Sequence, residues 1–208
     1  MADPVYTDVG VDIALEPDAR LMLQVRDGDT QSFELLLGKH RLPVVSYLSR
    51  MVQNQAVGEE LAQEVFLRVY KARASYEPSA KFTTWLYRIA THLALNSIRD
   101  RKREKNQRSL DEAPEEAQQL QVADRRSNRE QELLAKVRLD AVREAIASLP
   151  EKQRAAVLMH KYEELDYAQI ASALGTSVSA VKSLLFRAYE TLRGKLTGLS
   201  RNYKTRAN

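Results

Sequence analysis

The apolar residues of this chain recur at intervals of three and four, and nowhere do they alternate in a sustained run. That spacing constrains the fold more than any other feature. Side chains three and four apart share one face of an α-helix, whereas a half-buried strand needs every second residue apolar. Runs of Val, Ile, Thr and aromatics bounded by turn dipeptides, which would signal hairpins, are also missing. The expected class is therefore all-α. Glycine and proline number only 7 and 6 in 208 residues, which argues against sandwiches and low-complexity sequence.

The helical pattern is interrupted in ways that suggest two small domains. Residues 1–18 carry Asp3, Asp8, Asp12, Glu16 and Asp18 and no Lys or Arg. They are expected to be flexible or to order only against a partner. Helical periodicity begins near Asp18 and runs to Gly28. Asp29 or Thr30 caps a second helix through Leu37, and Pro43 marks a helix start or kink before Val44, Tyr47, Leu48 and Met51. Further helices are expected over 56–74 and 83–103, separated by a loop from Tyr76 to Ala80. Residues 109–128, with Pro114, several acids and few apolar anchors, read as a linker. Helix returns over 130–148, breaks at Leu149-Pro150 and resumes over 151–162. Two short helices then flank Gly175-Thr176-Ser177, and a polar, basic tail follows from about Thr197. The plan is a flexible segment 1–18, helical domains 19–108 and 131–197, a flexible acidic linker 109–130 and a basic tail 198–208.

Charge follows the same division. Residues 20–108 hold 16 Lys and Arg against 9 acids, residues 109–135 hold 3 against 7, and residues 136–208 hold 13 against 7. Two basic blocks joined by an acidic connector fit modules that touch a polyanion, although ordinary solvated helix surfaces would give the same balance. There is no Cys, which leaves no disulfide framework, thiolate site or Cys nucleophile. His40, His92 and His160 lack metal-ligand spacing, and there is no Gly-rich phosphate loop or nucleophile elbow. No metal, cofactor or catalytic centre is expected. No apolar run reaches membrane-spanning length and the start lacks the basic residues of a signal peptide, so a cytoplasmic protein is expected.

The C-terminal block has the form of a helix-turn-helix. On the first short helix Tyr167, Ile170, Ala171 and Leu174 should turn inward, and Gly175 can adopt the left-handed conformation that ends it. Ser177 or Ser179 can cap the second helix. There Val181, Leu185, Ala188 and Leu192 repeat at helical spacing and should pack inward. Lys182, Ser183, Phe186 and Arg187 are left on one outer face. Arg and Lys can donate to guanine edges and phosphates, Ser to a phosphate, and Phe can meet a thymine methyl. A helical hairpin with a solvated basic face is the plainer alternative.

These residues carry a family resemblance. Leu149-Pro150-Glu151-Lys152-Gln153-Arg154, the stretch Tyr162 to Ala171 and the stretch Val181 to Ala188 resemble region four of extracytoplasmic-function sigma factors. In that family the domain reads the −35 promoter element, which implies DNA contacts for Lys182, Ser183, Phe186 and Arg187. The family often has Gly-Thr-Val where this chain has Ser179-Ala180-Val181, and Arg where it has Leu184. Both departures bear on the −35 preference.

The first hundred residues extend the resemblance. In Glu60-Leu61-Ala62-Gln63-Glu64-Val65-Phe66, Ala62, Val65, Phe66 and Val69 form an inward set. Glu60, Gln63, Glu64, Leu67 and Lys71 form an outward stripe, suited either to a basic partner helix or to solvent. The string resembles the signature by which region two of sigma factors grips the clamp helices of the polymerase largest subunit, with Glu60 in place of the usual Asp. The stretch from Tyr76 to Ala90 resembles the sigma segment that melts the −10 element. Phe82, Trp85, Leu86, Ile89 and Leu93 make an apolar stripe, so most of its aromatics should be core. The resemblance implies base capture by the loop Tyr76 to Lys81 over a floor near Arg88, His92 and Asn96. Trp85 joins this −10 set, and Arg99, Arg101 and Arg103 follow as phosphate contacts. His92 stands where some members carry Asn, which bears on the −10 base preference.

Resemblance thus implies an initiation subunit without its own catalytic site. Its partners would be core polymerase, through the clamp and flap, promoter DNA, and an anti-sigma factor. A stand-alone dimeric DNA-binding regulator would need neither the Glu60 to Phe66 stripe nor the aromatic segment. A protein-only adaptor would leave both basic blocks unexplained.

Overall fold

The computed structural model describes the backbone of residues 16–108 and 129–206, and side chains within 16–107 and 136–197. All regular structure among the described residues is helical. The linker and most of the N-terminal segment lie outside these residues.

Helix α1 (Pro17–Arg26) starts where the Glu16 carboxylate accepts from the Ala19 amide at 3.1 Å. The expected flexible segment therefore stops short of Asp18, which is buried in α1. Its carboxylate accepts from Lys39 Nζ at 2.7 Å and lies 2.9 Å from His40 Nε2. A carboxylate taken out of water needs such partners, and they pin α1 to the helix that follows it.

Helix α2 (Thr30–Val52) is one element, capped by Asp29. Pro43 neither starts nor ends it. The buried residues Leu36, His40, Val44, Tyr47, Leu48 and Met51 continue one face across the proline. Burial of that face outweighs the single backbone bond that proline removes. Helix α3 (Gln55–Lys71) is capped by Asn54, whose Oδ1 accepts from Val57 at 3.0 Å. It ends earlier than its periodicity predicts and passes into a 3₁₀ turn over Arg73–Ser75. At Gly58 the two helices almost touch: a Cβ there would lie 2.6 Å from the Ser49 amide nitrogen and 2.7 Å from its Cα. Helix α4 (Phe82–Arg108) completes the N-terminal half.

The C-terminal half contains α5 (Arg129–Ala147), α6 (Glu151–Tyr162), α7 (Tyr167–Leu174) and α8 (Val178–Arg206). A capping box opens α7: Asp166 Oδ1 accepts from the Gln169 amide at 2.8 Å, and the Gln169 side chain accepts from the Asp166 amide at 2.9 Å. Gly175 ends α7 at φ 61°, the left-handed conformation expected of it. Ser177, rather than Ser179, caps α8 by accepting from the Ala180 amide at 3.2 Å. Helix continues to Arg206, well past the expected tail boundary near Thr197.

The two halves share one core. Buried residues run without a break from Met22 and Tyr47 through Leu86 and Ala94 to Leu158, Ile170 and Leu185. Helix α4 lies at the junction, with α2 and α3 packed on it from its own half and α6 and α7 from the other. Tyr47 meets Tyr87 edge-on at 5.2 Å and bonds Thr91 Oγ1 at 2.7 Å. The Tyr87 hydroxyl, in turn, donates to the Glu163 carboxylate across the halves.

Candidate nucleic-acid interface

The α8 surface is built from its buried face outward. Val181, Leu185 and Ala188 are buried against α6 and α7, and Leu192 is half-buried. Their burial fixes the rotation of the helix. Lys182, Ser183, Phe186 and Arg187 consequently all face solvent, with Phe186 68% exposed. Arg187 Nε donates to the Ser183 carbonyl at 3.3 Å, which lays the guanidinium along this face. The supporting helix differs from expectation at one residue. Ile170 and Ala171 are buried and Leu174 half-buried, but Tyr167 is 36% exposed. It is the first residue of α7, and its ring leans on His160 at 5.2 Å instead of entering the core.

On α3 the inward set Ala62, Val65, Phe66 and Val69 is buried. Glu60, Gln63, Leu67 and Lys71 are exposed and Glu64 is half-buried. Leu67, 46% exposed, is an apolar residue between charged neighbours on a free helix face. Glu64 Oε1 accepts from Arg68 Nε at 2.6 Å, one turn along the same face.

The segment leading into α4 corrects one expectation. Tyr76, expected to meet DNA, is only 4% exposed. Its ring packs 5.0 Å from Trp85 and 6.5 Å from Phe82, and burial pushes its phenol up to about 12. Three aromatic rings gain more by packing on one another than a single ring gains in a loop, so Tyr76 closes the core instead of facing solvent. The other members of the set lie outside the core. Lys81, Arg88, His92, Arg99 and Arg103 are exposed, and Trp85, Asn96 and Arg101 are half-buried.

Trp85, Arg88, Ile89 and His92 line a cavity of about 190 Å³ together with Arg68 from α3. It combines an aromatic surface, an imidazole and two guanidiniums, groups that stack on a base and bind a phosphate. Sequence reasoning missed Arg68. Its position, four residues after Glu64 on the outward face, was the available signal. The structure thus brings Trp85, Arg88 and His92 of the −10 set to one groove between α3 and α4. Arg99, Arg101 and Arg103 continue along α4 beyond it.

Among the described residues no three His, Cys, Asp or Glu side chains cluster as a metal site requires. No described helix is long and apolar enough to cross a membrane.

Comparison with known proteins agrees with this geometry. Residues 36–104 match the family described as Sigma-70 region 2, and residues 139–192 match Sigma-70, region 4. An RNA polymerase sigma-H factor from Pseudomonas aeruginosa is 29% identical over 187 residues, covering 89% of this chain and 97% of that protein. The ECF RNA polymerase sigma-E factor of Escherichia coli K12 is 32% identical over 185 residues, covering 88% and 96%. The fold is shared with CnrH, solved in complex with the cytosolic domain of CnrY, at TM-score 0.62 and 20% identity over 89% of this chain and 97% of that one. It is also shared with the sigma factor RpoE from Bartonella quintana, solved with the anti-sigma factor NepR, at TM-score 0.65 and 19% identity over 81% and 98%. The chain belongs to the extracytoplasmic-function sigma factors of the sigma-70 family, the RNA polymerase subunits that direct promoter-specific transcription initiation.

Proposed function

We propose that three separate faces divide the work of promoter selection. The α3 stripe of Glu60, Gln63, Glu64, Leu67 and Lys71 docks on the clamp helices of the polymerase largest subunit. Its mixture of acids with one exposed leucine suits a basic, partly apolar helix. The groove between α3 and α4 takes the opened −10 strand, with Trp85, Arg88, His92, Asn96 and the added Arg68 at the base pocket. Lys81, Arg99, Arg101 and Arg103 hold phosphates beside it. The outer face of α8, through Lys182, Ser183, Phe186 and Arg187, enters the major groove at the −35 element while its domain contacts the polymerase flap.

The observation that carries this assignment is the α8 face: Phe186 is 68% exposed between Lys182, Ser183 and Arg187 on a helix whose opposite side is buried. A large aromatic left in water beside cations is what a groove reader presents. Residues 19–108 and 131–197 act as the working domains and 109–130 as the tether between them. The subunit performs no bond chemistry of its own and works in the cytoplasm. An anti-sigma factor is its regulator, a reading supported by the structural relative solved with NepR.

The test mixes the purified full chain with bacterial core polymerase and supercoiled genomic template, and maps transcript starts. Discrete starts absent with core alone are expected. Arg187→Ala should lose them while retaining core binding, and unchanged starts would remove α8 from −35 recognition. Failure of the wild-type chain to bind core would remove the α3 assignment.

A further inference from the structure

Helix α1 holds the segment that enters α4 at both of its ends. At one end the Glu16 carboxylate, which caps α1, also accepts from the Phe82 amide at 3.3 Å. Phe82 is the first residue of α4, and its amide is one of those a helix cannot satisfy internally. The residue before it is Lys81, whose side chain has donors only and cannot cap. Glu16, 66 positions away in sequence, supplies both the acceptor and a negative charge that the helix dipole favours. At the other end Arg26, in the last turn of α1, donates from its guanidinium to the Tyr76 carbonyl at 3.4 Å. Among the described residues these are the two side-chain hydrogen bonds that tie the backbone of 76–82 to an element outside it. The buried Tyr76 hydroxyl has no hydrogen-bond partner among them, so its ring anchors the loop by packing alone. Helix α1 is itself fixed, because Asp18 is held by Lys39 and His40 of α2. Between the two ties Glu77, Ser79 and Lys81 are exposed, and Trp85 of the groove follows one turn into α4.

We propose that Glu16 and Arg26 are positioning residues for capture of the opened −10 strand. They touch no base themselves; they act through the loop, which they hold in shape before the strand arrives. The claim rests on the −10 reading above. A loop tied at both ends gives up less conformational freedom when it closes on a strand, so more of the contact energy is left for binding. The Glu16 tie falls between Lys81 and Trp85, and so sets the phosphate contact and the stacking surface in one fixed relation.

The test uses holoenzyme assembled from the full chain. Its probe is a single-stranded oligonucleotide carrying the non-template −10 element of a promoter mapped as above. Binding is read by fluorescence anisotropy, well below the unfolding midpoint of each variant. Glu16→Ala and Arg26→Ala should each weaken capture about tenfold, the scale of one lost hydrogen bond to a charged group. Affinity for core should stay as in wild type. Glu16→Gln and Arg26→Lys, which keep an acceptor and a donor, should recover most of the loss. The Arg26 side chain is partly exposed, so its variants keep the fold even where Glu16→Ala does not. A merely structural role would lower the unfolding midpoint and leave oligonucleotide affinity intact in the folded variants. That result would overturn the proposal, as would a parallel loss of core binding. If wild-type holoenzyme does not hold the oligonucleotide, the −10 reading itself fails.

Discussion

Helices α4 and α8 carry similar residues and meet different fates. Both carry an aromatic, both carry cations, and both are expected to touch DNA. Yet Phe82 at the start of α4 is fully buried, whereas Phe186 on α8 is 68% exposed. The difference lies in how many sides each helix has covered. Helix α8 rests on α5, α6 and α7 from one side and keeps its outer face free; α4 is packed by α2 and α3 and then again by α6 and α7. An aromatic on a one-sided helix can serve recognition, but one on a surrounded helix is first claimed by the core.

The largest expected effect tests that contrast directly. Phe82→Ala should cost about 3–5 kcal/mol of stability, the penalty of a buried aromatic cavity. Phe186→Ala should change stability by less than about 0.5 kcal/mol, as an exposed substitution does. Urea denaturation of both variants measures this, and equal losses would break the comparison. Phe186→Ala should nonetheless lower promoter-dependent transcription.

Arg187→Ala comes next. Loss of a guanidinium that contacts a base edge should weaken DNA recognition by about 1–3 kcal/mol without changing the unfolding midpoint. Binding to −35 duplexes in the presence of core reads the effect, and a change in stability instead would make Arg187 part of the fold. Glu64→Lys should be smaller. Reversing an exposed docking charge should weaken core binding by about 1 kcal/mol, roughly fivefold. Unaltered affinity for core would take Glu64 out of the interface.

What the sequence made legible divides along the same line. The inward and outward faces of α8 could be read, because one apolar stripe, Val181, Leu185 and Ala188, determines them. The inward set of α3 was legible for the same reason. Tyr76 was misplaced because its partners, Phe82 and Trp85, lie beyond a loop, and a loop residue has no periodicity to show which way it faces. Tyr167 was misplaced because the buried stripe of α7 starts only at Ile170. The contact between the two halves was not legible at all. Arg154 reads as one more surface cation, and the carbonyl it binds is 103 positions away in sequence. Contacts between segments so distant leave no local signal in a single chain.

The smallest expected effect concerns the acids that cover α4, and here the sign of a pH dependence distinguishes two neighbours. Burial outweighs the Tyr87 hydrogen bond and the charge of Arg50, holding the Glu163 carboxyl above its ordinary value of 4.5. In the window from 4.5 up to that raised value, the folded chain binds more protons than the unfolded one, so the stability due to Glu163 falls as pH rises. Glu163→Gln removes this loss while keeping an acceptor for Tyr87. The stability of the variant relative to wild type should therefore climb as pH rises through the window and then level. Glu151 is shifted the other way: its hydrogen bond from Lys102 holds its carboxyl below 4.5. Its contribution is present above 4.5 and disappears as pH falls through the folded value, so Glu151→Gln should be the less stable form at neutral pH and equal wild type in acid. Urea midpoints between pH 3 and 8 compare the pair. Opposite slopes follow only if Glu163 is buried against α4 while Glu151 remains at its solvated edge. Loss of both slopes would mean that the halves do not close on α4 in solution.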